Sequence, residues 1–531
     1  MADALQVLDA RSVRRWFEHA LRSLLAVREQ VDVLNVFPVP DGDTGTNLVL
    51  TLAGAADAAA QLPADASLTR LTAGAARGAL VNARGNSGVI LSQAMRGLAH
   101  GVAGLDEVDG AAFARALTSA ADGAREAVDR PVEGTILTVA DAAARASRDV
   151  ADQPLLAVVQ AAVRAAVTAL EDTRGQLPVL TEREVVDAGG AGFVILLGAL
   201  ESVVDGGGRL DETTTRRARE TLAELWSEPR PALAGHGCSL GASVVGAGHD
   251  MSDPGGAFEV MYVVRAGEPA ATELRARLDR AGDSVAVVGG VDDDGDGLWQ
   301  VHVHTDDPAA VLADPSVMTQ VCVRSLTAPA LPVVACTRVP ALAASLAQTG
   351  AGVCVHPDDA GLRRAVVDTG APEVLLLPCD DDAAALATSV FASTAGPAEP
   401  AAPSFGARQQ VHVLDSRDEA VVLGVVSELV AGTMAAEGDA ADHRRTAVEA
   451  LARSRGGACD AADAGDAVAR LARPEDELLM VVTGARLATD TAGREDVLAE
   501  VTAALAQRAP SAEVIVLDGG QHRPDLLLGA Q

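Results

Sequence analysis

Over its first 200 residues the chain alternates alanine-rich amphipathic stretches with short polar turns. Leu5, Val7, Leu8, Val13, Trp16, Phe17, Leu21, Leu24 and Leu25 recur at helical spacing and predict a helix over residues 1–30, with His19 on its surface. A second helix runs from the turn around residue 44 to about Ala60, and a third covers 67–82. Two apolar helices follow, VILSQAMRGLAHGV and FVILLGALESVV. No period-2 alternation appears before about residue 230, so this region predicts an all-α domain whose turns gather at one end of a bundle.

The pattern changes through DGGGRLDETTTRR and WSEPRPALAGHG, a Gly/Pro-bearing boundary within 205–257. Strand patterns then begin: FEVMYVVRA, DSVAVVGG and LWQVHVHT, with the helix ATELRARLDRAG among them. From residue 331 strands and helices alternate, and runs such as LPVVACT and EVLLLPCD are apolar throughout, which suits an α/β layer. Residues 393–408 read as a low-complexity linker. The expected organisation is an all-α domain over 1–208, a small α+β domain over 230–330 and an α/β region over 331–531.

At 531 residues the chain is too long for one core. Aromatic residues make up 2%, so the cores must be built from Ala, Val and Leu. The longest apolar run, Ala188–Leu200, is short of the roughly 18 residues a membrane span requires. Six scattered cysteines and an N-terminus without a signal-peptide layout predict a cytoplasmic location. A net charge of −32 argues against nucleic acid and against an anionic membrane face. All 42 basic residues are arginine, which excludes a P-loop lysine, a kinase strand lysine and a Schiff-base lysine.

The chemistry concentrates at LNVFPVPDGDTGTN, Leu34–Asn47. Asp41 and Asp43 stand one residue apart on a glycine-loosened turn, and a helix starts at once behind Thr44, Thr46 and Asn47. Mg²⁺ takes one or two carboxylates and leaves its other positions to water and phosphate, while a helix start offers amides and a positive dipole end. The same residues also suit an Asx-turn that merely caps a helix. NARGNSG, Asn82–Gly88, repeats the logic: Gly85 and Gly88 admit a phosphate to the backbone and Asn86 and Ser87 can donate to it, although Ser87 also suits a plain cap. PVEGTIL and VVDAGGAGF add two further turns between helices. In LWQVHVHT, period-2 alternation puts His302 and His304 on one strand face, about 7 Å apart, where they could chelate a metal, flank a transferring phosphoryl group or sit at a core edge.

In this order, NVFPVPDGDTGTN, NARGNSGVILSQ, PVEGTILTV and VVDAGG resemble the nucleotide-binding L domain of dihydroxyacetone kinases, and more closely its relative in the catalytic A subunit of bacterial fatty acid kinase. The resemblance implies an antiparallel helical barrel binding Mg²⁺ and ATP at one end. It places Asp41 and Asp43 on Mg²⁺, and Thr44, Asn47, Asn86, Ser87, Gly88 and Thr135 around the phosphates and nucleotide. Asp187 would lie in the closing turn near adenine or ribose, and Arg84 is a candidate for neutralising charge. Dihydroxyacetone kinases carry a further upstream aspartate, where Asn35 is the nearest residue here. The family's middle domain pairs HVHT with a cysteine in a zinc site; this chain has Glu259 at that place. The expected second metal group is therefore Glu259, His302 and His304, with His302 also a catalytic candidate. His236 and Cys238 are near in sequence, with nothing to show that they substitute.

The GGQ at Gly519–Gln521 also resembles the family's C-terminus, whereas CVHPDDAG and LPCDDDAA depart from it. The implied activity is ATP-dependent phosphorylation of a fatty acid carboxylate presented by a DegV-type carrier protein, giving an acyl phosphate. A homodimer is a further expectation. Two rivals are a glycerone kinase-like phosphotransferase and a non-catalytic nucleotide-binding regulator.

Overall fold

Asp9 starts the first helix: its carboxylate accepts the backbone N–H of Ser12 while the Ser12 hydroxyl takes the Asp9 N–H, a reciprocal capping box. That cap displaces the expected helix from residues 1–30 to α1, Ala10–Val33. Ahead of it the chain is extended enough for Leu8 to bridge Val108. The structure is a computed structural model and describes residues 4–128, 130–206, 256–291, 297–392, 409–435 and 440–531. His236, Cys238 and the 393–408 linker lie outside the described residues.

The N-terminal region is all-α: α2 (Thr44–Gln61), α3 (Leu68–Val81), α4 (Gly85–Gly101), α5 (Gly110–Glu126), α6 (Ile136–Asp149), α7 (Leu155–Asp172), α8 (Pro178–Arg183) and α9 (Ala188–Val204). One core joins them, built mostly from Ala, Val and Leu as composition requires, with Trp16, Phe17, Phe113 and Phe193 as the aromatic members. Alanine and glycine allow close helix approach. A Cβ on Gly97 of α4 would sit 2.0 Å from the Ser119 carbonyl oxygen of α5. His19 is 1% exposed, so it faces this core rather than the expected surface. The α1 helix is covered on more sides than its apolar stripe alone suggests.

Beyond residue 256 the fold is α/β. Strands β1 (Phe258–Arg265), β2 (Asp283–Val291), β3 (Gly297–Thr305), β4 (Met318–Ser325), β5 (Val333–Thr337), β6 (Gly352–Val355), β7 (Glu373–Leu377) and β8 (Gln410–Val413) form one sheet in the order β2-β3-β1-β4-β6-β5-β7-β8. β6, β5, β7 and β8 run parallel, and β4 joins them by pairing antiparallel to β6. Strands from both sides of residue 330 therefore share a hydrogen-bond ladder. A second sheet has the order β11-β10-β12-β9, from β9 (Arg455–Cys459), β10 (Leu478–Thr483), β11 (Glu513–Asp518) and β12 (Leu526–Ala530). β4 and β9 have no counterpart in the sequence pattern. RGGAC of β9 is too rich in glycine and polar residues to alternate, and β4 carries Gln320 and Arg324 among its apolar positions.

Among the described residues no helix is long and apolar enough to cross a membrane.

Candidate functional site

At the start of α2 the chain turns through Gly42, whose φ of +69° is a conformation that glycine reaches without strain. Asp43 occupies the N-cap position of α2, yet its side chain makes no capping bond. It accepts instead from the Asn47 amide, 2.7 Å away. Asn35 donates to Asp41 at 2.6 Å and accepts the Thr44 hydroxyl at 2.7 Å, so one amide clasps both arms of the turn. Asp41 is exposed, Asp43 is half-buried and Thr44 and Asn47 are buried. An Asx cap would have spent the Asp43 carboxylate on the helix. Here two carboxylates stand beside a helix start that is left without a side-chain cap, a donor set that fits a hard divalent cation.

The second turn meets the first. Ser87 is the third residue of α4, not its cap; the cap position belongs to Arg84, again without a side-chain capping bond. The Ser87 hydroxyl lies 3.5 Å from that of Thr44. Gly85 makes this approach feasible, since it has a φ of +54° and a Cβ there would be 2.5 Å from the Asn47 amide nitrogen. Asn86 and Gly88 belong to the same first turn of α4, and a Cβ on Gly88 would meet the Thr51 hydroxyl at 2.4 Å. Arg84 is 5% exposed and donates to the Ala83 carbonyl.

Thr135 and Asp187 pair up in the same way. Thr135 caps α6, accepting from the Leu137 N–H. Asp187 caps α9, accepting from the Gly190 N–H at 2.6 Å, and also takes the Ile136 N–H at the start of α6. Burial pushes its carboxyl up to about 6 against these two bonds. The first turns of α2 and α9 touch as well, because a Cβ on Gly192 would fall 2.2 Å from the Leu48 side chain. The starts of α2, α4, α6 and α9 are thus linked at one end of the helical domain.

One participant carries no signal in the sequence. Asp32, near the end of α1, accepts both the N–H and the hydroxyl of Thr46, each at 2.9 Å. Burial raises its carboxyl above the usual range, and the nearby charge of Asp43 adds to the rise. Asn35 reads as the vacant place of a third acid, but a third acid does approach the pair from one helical turn earlier.

In the large sheet, neighbouring strands β1 and β3 bring Glu259, His302 and His304 together. Their donor atoms all lie within 4.8 Å of one another, and the three are 4%, 1% and 3% exposed. Among the described residues this is the one group of three or more such donors; Asp41 and Asp43 are not part of it. Two imidazoles and a carboxylate are a recognised zinc donor set, and the mutual distances suit a single ion.

Comparison with known proteins agrees with the geometry. Residues 38–202 match the DAK2 domain, which spans the helical domain and all four linked helix starts. Residues 256–321 match the FakA-like middle domain of fatty acid kinase, which spans Glu259, His302 and His304. The class is a DAK2-domain protein of kinase-like type. With both domains in this order, the chain belongs to the FakA-like family of fatty acid kinase proteins. It is 33% identical to Protein YloV of Bacillus subtilis over 314 residues, covering 58% of this chain and 53% of that one. A protein of Staphylococcus saprophyticus is 32% identical over 293 residues, covering 53% and 48%. A shorter match to a Staphylococcus aureus protein reaches 39% over 166 residues, covering 31% and 30%. The chain spans about half the length of the first curated relatives it matches.

Proposed function

We propose that this protein is the catalytic component of an ATP-dependent acyl kinase, acting on a fatty acid that a DegV-type carrier presents. The observation that carries the reading is the side-by-side start of α2 and α4, both without side-chain caps, beside the carboxylates of Asp41 and Asp43. Helix-start amides and dipoles favour phosphate there, and Thr44 and Ser87 add two hydroxyls at the same point.

In this reading Asp41 and Asp43 hold Mg²⁺, which when bound neutralises charge on the phosphates. Asn35 and Asn47 keep the two carboxylates oriented. Thr44, Asn47, Asn86, Ser87, Gly88 and Thr135 surround the nucleotide, and Asp187 fixes the meeting of α6 with α9. A carboxylate oxygen of the fatty acid attacks the γ-phosphorus of ATP, the bond from that phosphorus to the bridging oxygen breaks, and ADP leaves with its electron pair. The product is an acyl phosphate, and no proton need be abstracted from an ionised carboxylate. In a lysine-free chain the stabilisation of transferred charge rests on helix-start amides, hydroxyls and the cation.

The test is ADP release by the full chain with Mg²⁺, ATP and a carrier loaded with fatty acid. Carrier-dependent turnover is expected, falling about 100-fold or more in Asp41→Ala/Asp43→Ala, the scale of losing a main electrostatic contributor. Turnover driven by a triose instead would favour a glycerone kinase-like enzyme. Nucleotide binding with no acceptor-dependent turnover would make the protein a regulator.

A further inference from the structure

In the Glu259, His302 and His304 group, the carboxylate faces two ways. β1 lies between β3, which carries the histidines, and β4. On the β4 side Glu259 is in direct register with Arg324, and the Arg324 Nε donates to the Glu259 Oε2. The Glu259 side chain is 5% exposed and that of Arg324 35%. A buried carboxylate thus has an arginine on one flank and two imidazoles on the other.

We infer that Arg324 is the positioning residue of a divalent-cation site made by Glu259, His302 and His304, fixing the carboxylate so that it serves the cation as a pre-aimed ligand. The inference rests on the reading that this group takes a cation. Outer partners that orient ligands typically hold 10–100-fold of metal affinity. A carboxylate on a two-bond side chain has rotamers to spare, and an arginine in cross-strand register removes that freedom.

The donor set also defines the class of ion. It holds nitrogen and oxygen and no thiolate, which disfavours Cu(I) and other soft ions and suits Zn²⁺, Co²⁺ or Mn²⁺. Three protein ligands leave a fourth position of a tetrahedral ion open to water or another oxygen ligand, the layout of catalytic rather than structural zinc sites.

The experiment uses the full chain carrying Asp41→Ala/Asp43→Ala, so that the helical-domain carboxylates do not contribute. Metal-stripped protein is titrated with Co²⁺, following its visible absorption, and the stoichiometry is checked by elemental analysis. One Co²⁺ per chain is expected, with tetrahedral bands and no thiolate charge-transfer band. Glu259→Gln and His304→Ala should each weaken binding more than 100-fold. Arg324→Leu should weaken it 10–100-fold, and Arg324→Lys, which keeps a donor cation, should fall between that and the parent. Thermal melts confirm that each variant is folded, and Arg324→Lys carries the comparison if Arg324→Leu is not. Absence of Co²⁺ from the parent protein overturns the cation reading and the inference with it. Binding by the parent together with unchanged or tighter binding by Arg324→Leu overturns the role of Arg324 alone.

Discussion

Asp32 grips Thr46 through two hydrogen bonds of 2.9 Å, tying the end of α1 to the first turn of α2 across fourteen residues of chain. The turn that carries Asp41 and Asp43 is strung between those two points. Asp32→Ala should leave the Thr46 N–H and hydroxyl without that acceptor and cost about 1–3 kcal/mol. Urea unfolding measures the loss. Nucleotide affinity should fall further than the stability change alone predicts, because the loop loses its anchor.

Asn35 and Asn47 offer a milder probe of the same turn. Asn35→Ala removes the group bridging Asp41 and Thr44, and Asn47→Ala removes the amide that donates to Asp43. Each should raise the Mg²⁺ concentration needed for half-maximal nucleotide binding by about tenfold, in line with lost outer-shell orientation. Titration of Mg²⁺ at fixed nucleotide reads this directly. An unchanged midpoint would separate these amides from the cation.

Stability should depend on pH with an unusual sign. Burial raises the carboxyl of Asp187 to about 6 and that of Asp418 to about 6, and it raises Glu419 to about 7. An acid whose folded value lies above its unfolded one binds its proton more tightly when folded, so its contribution is full at low pH and is lost as pH rises through the folded value. For these three groups the loss runs from about pH 4 to about pH 7. Each unit of raised value corresponds to about 1.4 kcal/mol. Asp187→Asn keeps a capping side chain and should flatten the fall between pH 4 and 6. Glu419→Gln should flatten it between about 4.5 and 7. Melting temperatures across that range check both.

Close helix contact at Gly97 gives a steric prediction. Gly97→Ala puts a methyl 2.0 Å from the Ser119 carbonyl, which α4 and α5 can relieve only by separating. The cost should be about 1–3 kcal/mol, the usual scale of overpacking, despite the better helix propensity of alanine. Gly198→Ala in α9, where nothing lies within 4 Å of the added carbon, is the control and should stabilise slightly.

Much of the helical domain is legible in sequence because its elements are local: the amphipathic stripe of α1 and the glycine–hydroxyl turns before α2 and α4 need no distant partner to be recognised. Leu34–Asn47 is legible for the same reason. Reach is what a linear reading lacks. Asp32 looks like one more polar position on α1, and only the fold reveals that it returns to Thr46. Glu259 can be placed opposite the histidines only through resemblance, and its second partner Arg324, 65 residues away, has no local signature. Strand β9 stays hidden because glycine masks period 2, and the β4–β6 pairing because antiparallel edges between motifs leave no pattern in either strand.

That β4–β6 pairing has a mechanical consequence. Strands carrying Glu259, His302 and His304 and the parallel strands β5 to β8 share one ladder, so neither end can fray without loosening the other. Slow amide exchange should extend as a single cooperative block through both. A chain cut at residue 330 would expose the β4 edge that β6 normally covers, a raw seam available to other strands. Shortened versions of this protein are therefore better ended ahead of β1 than between β4 and β5.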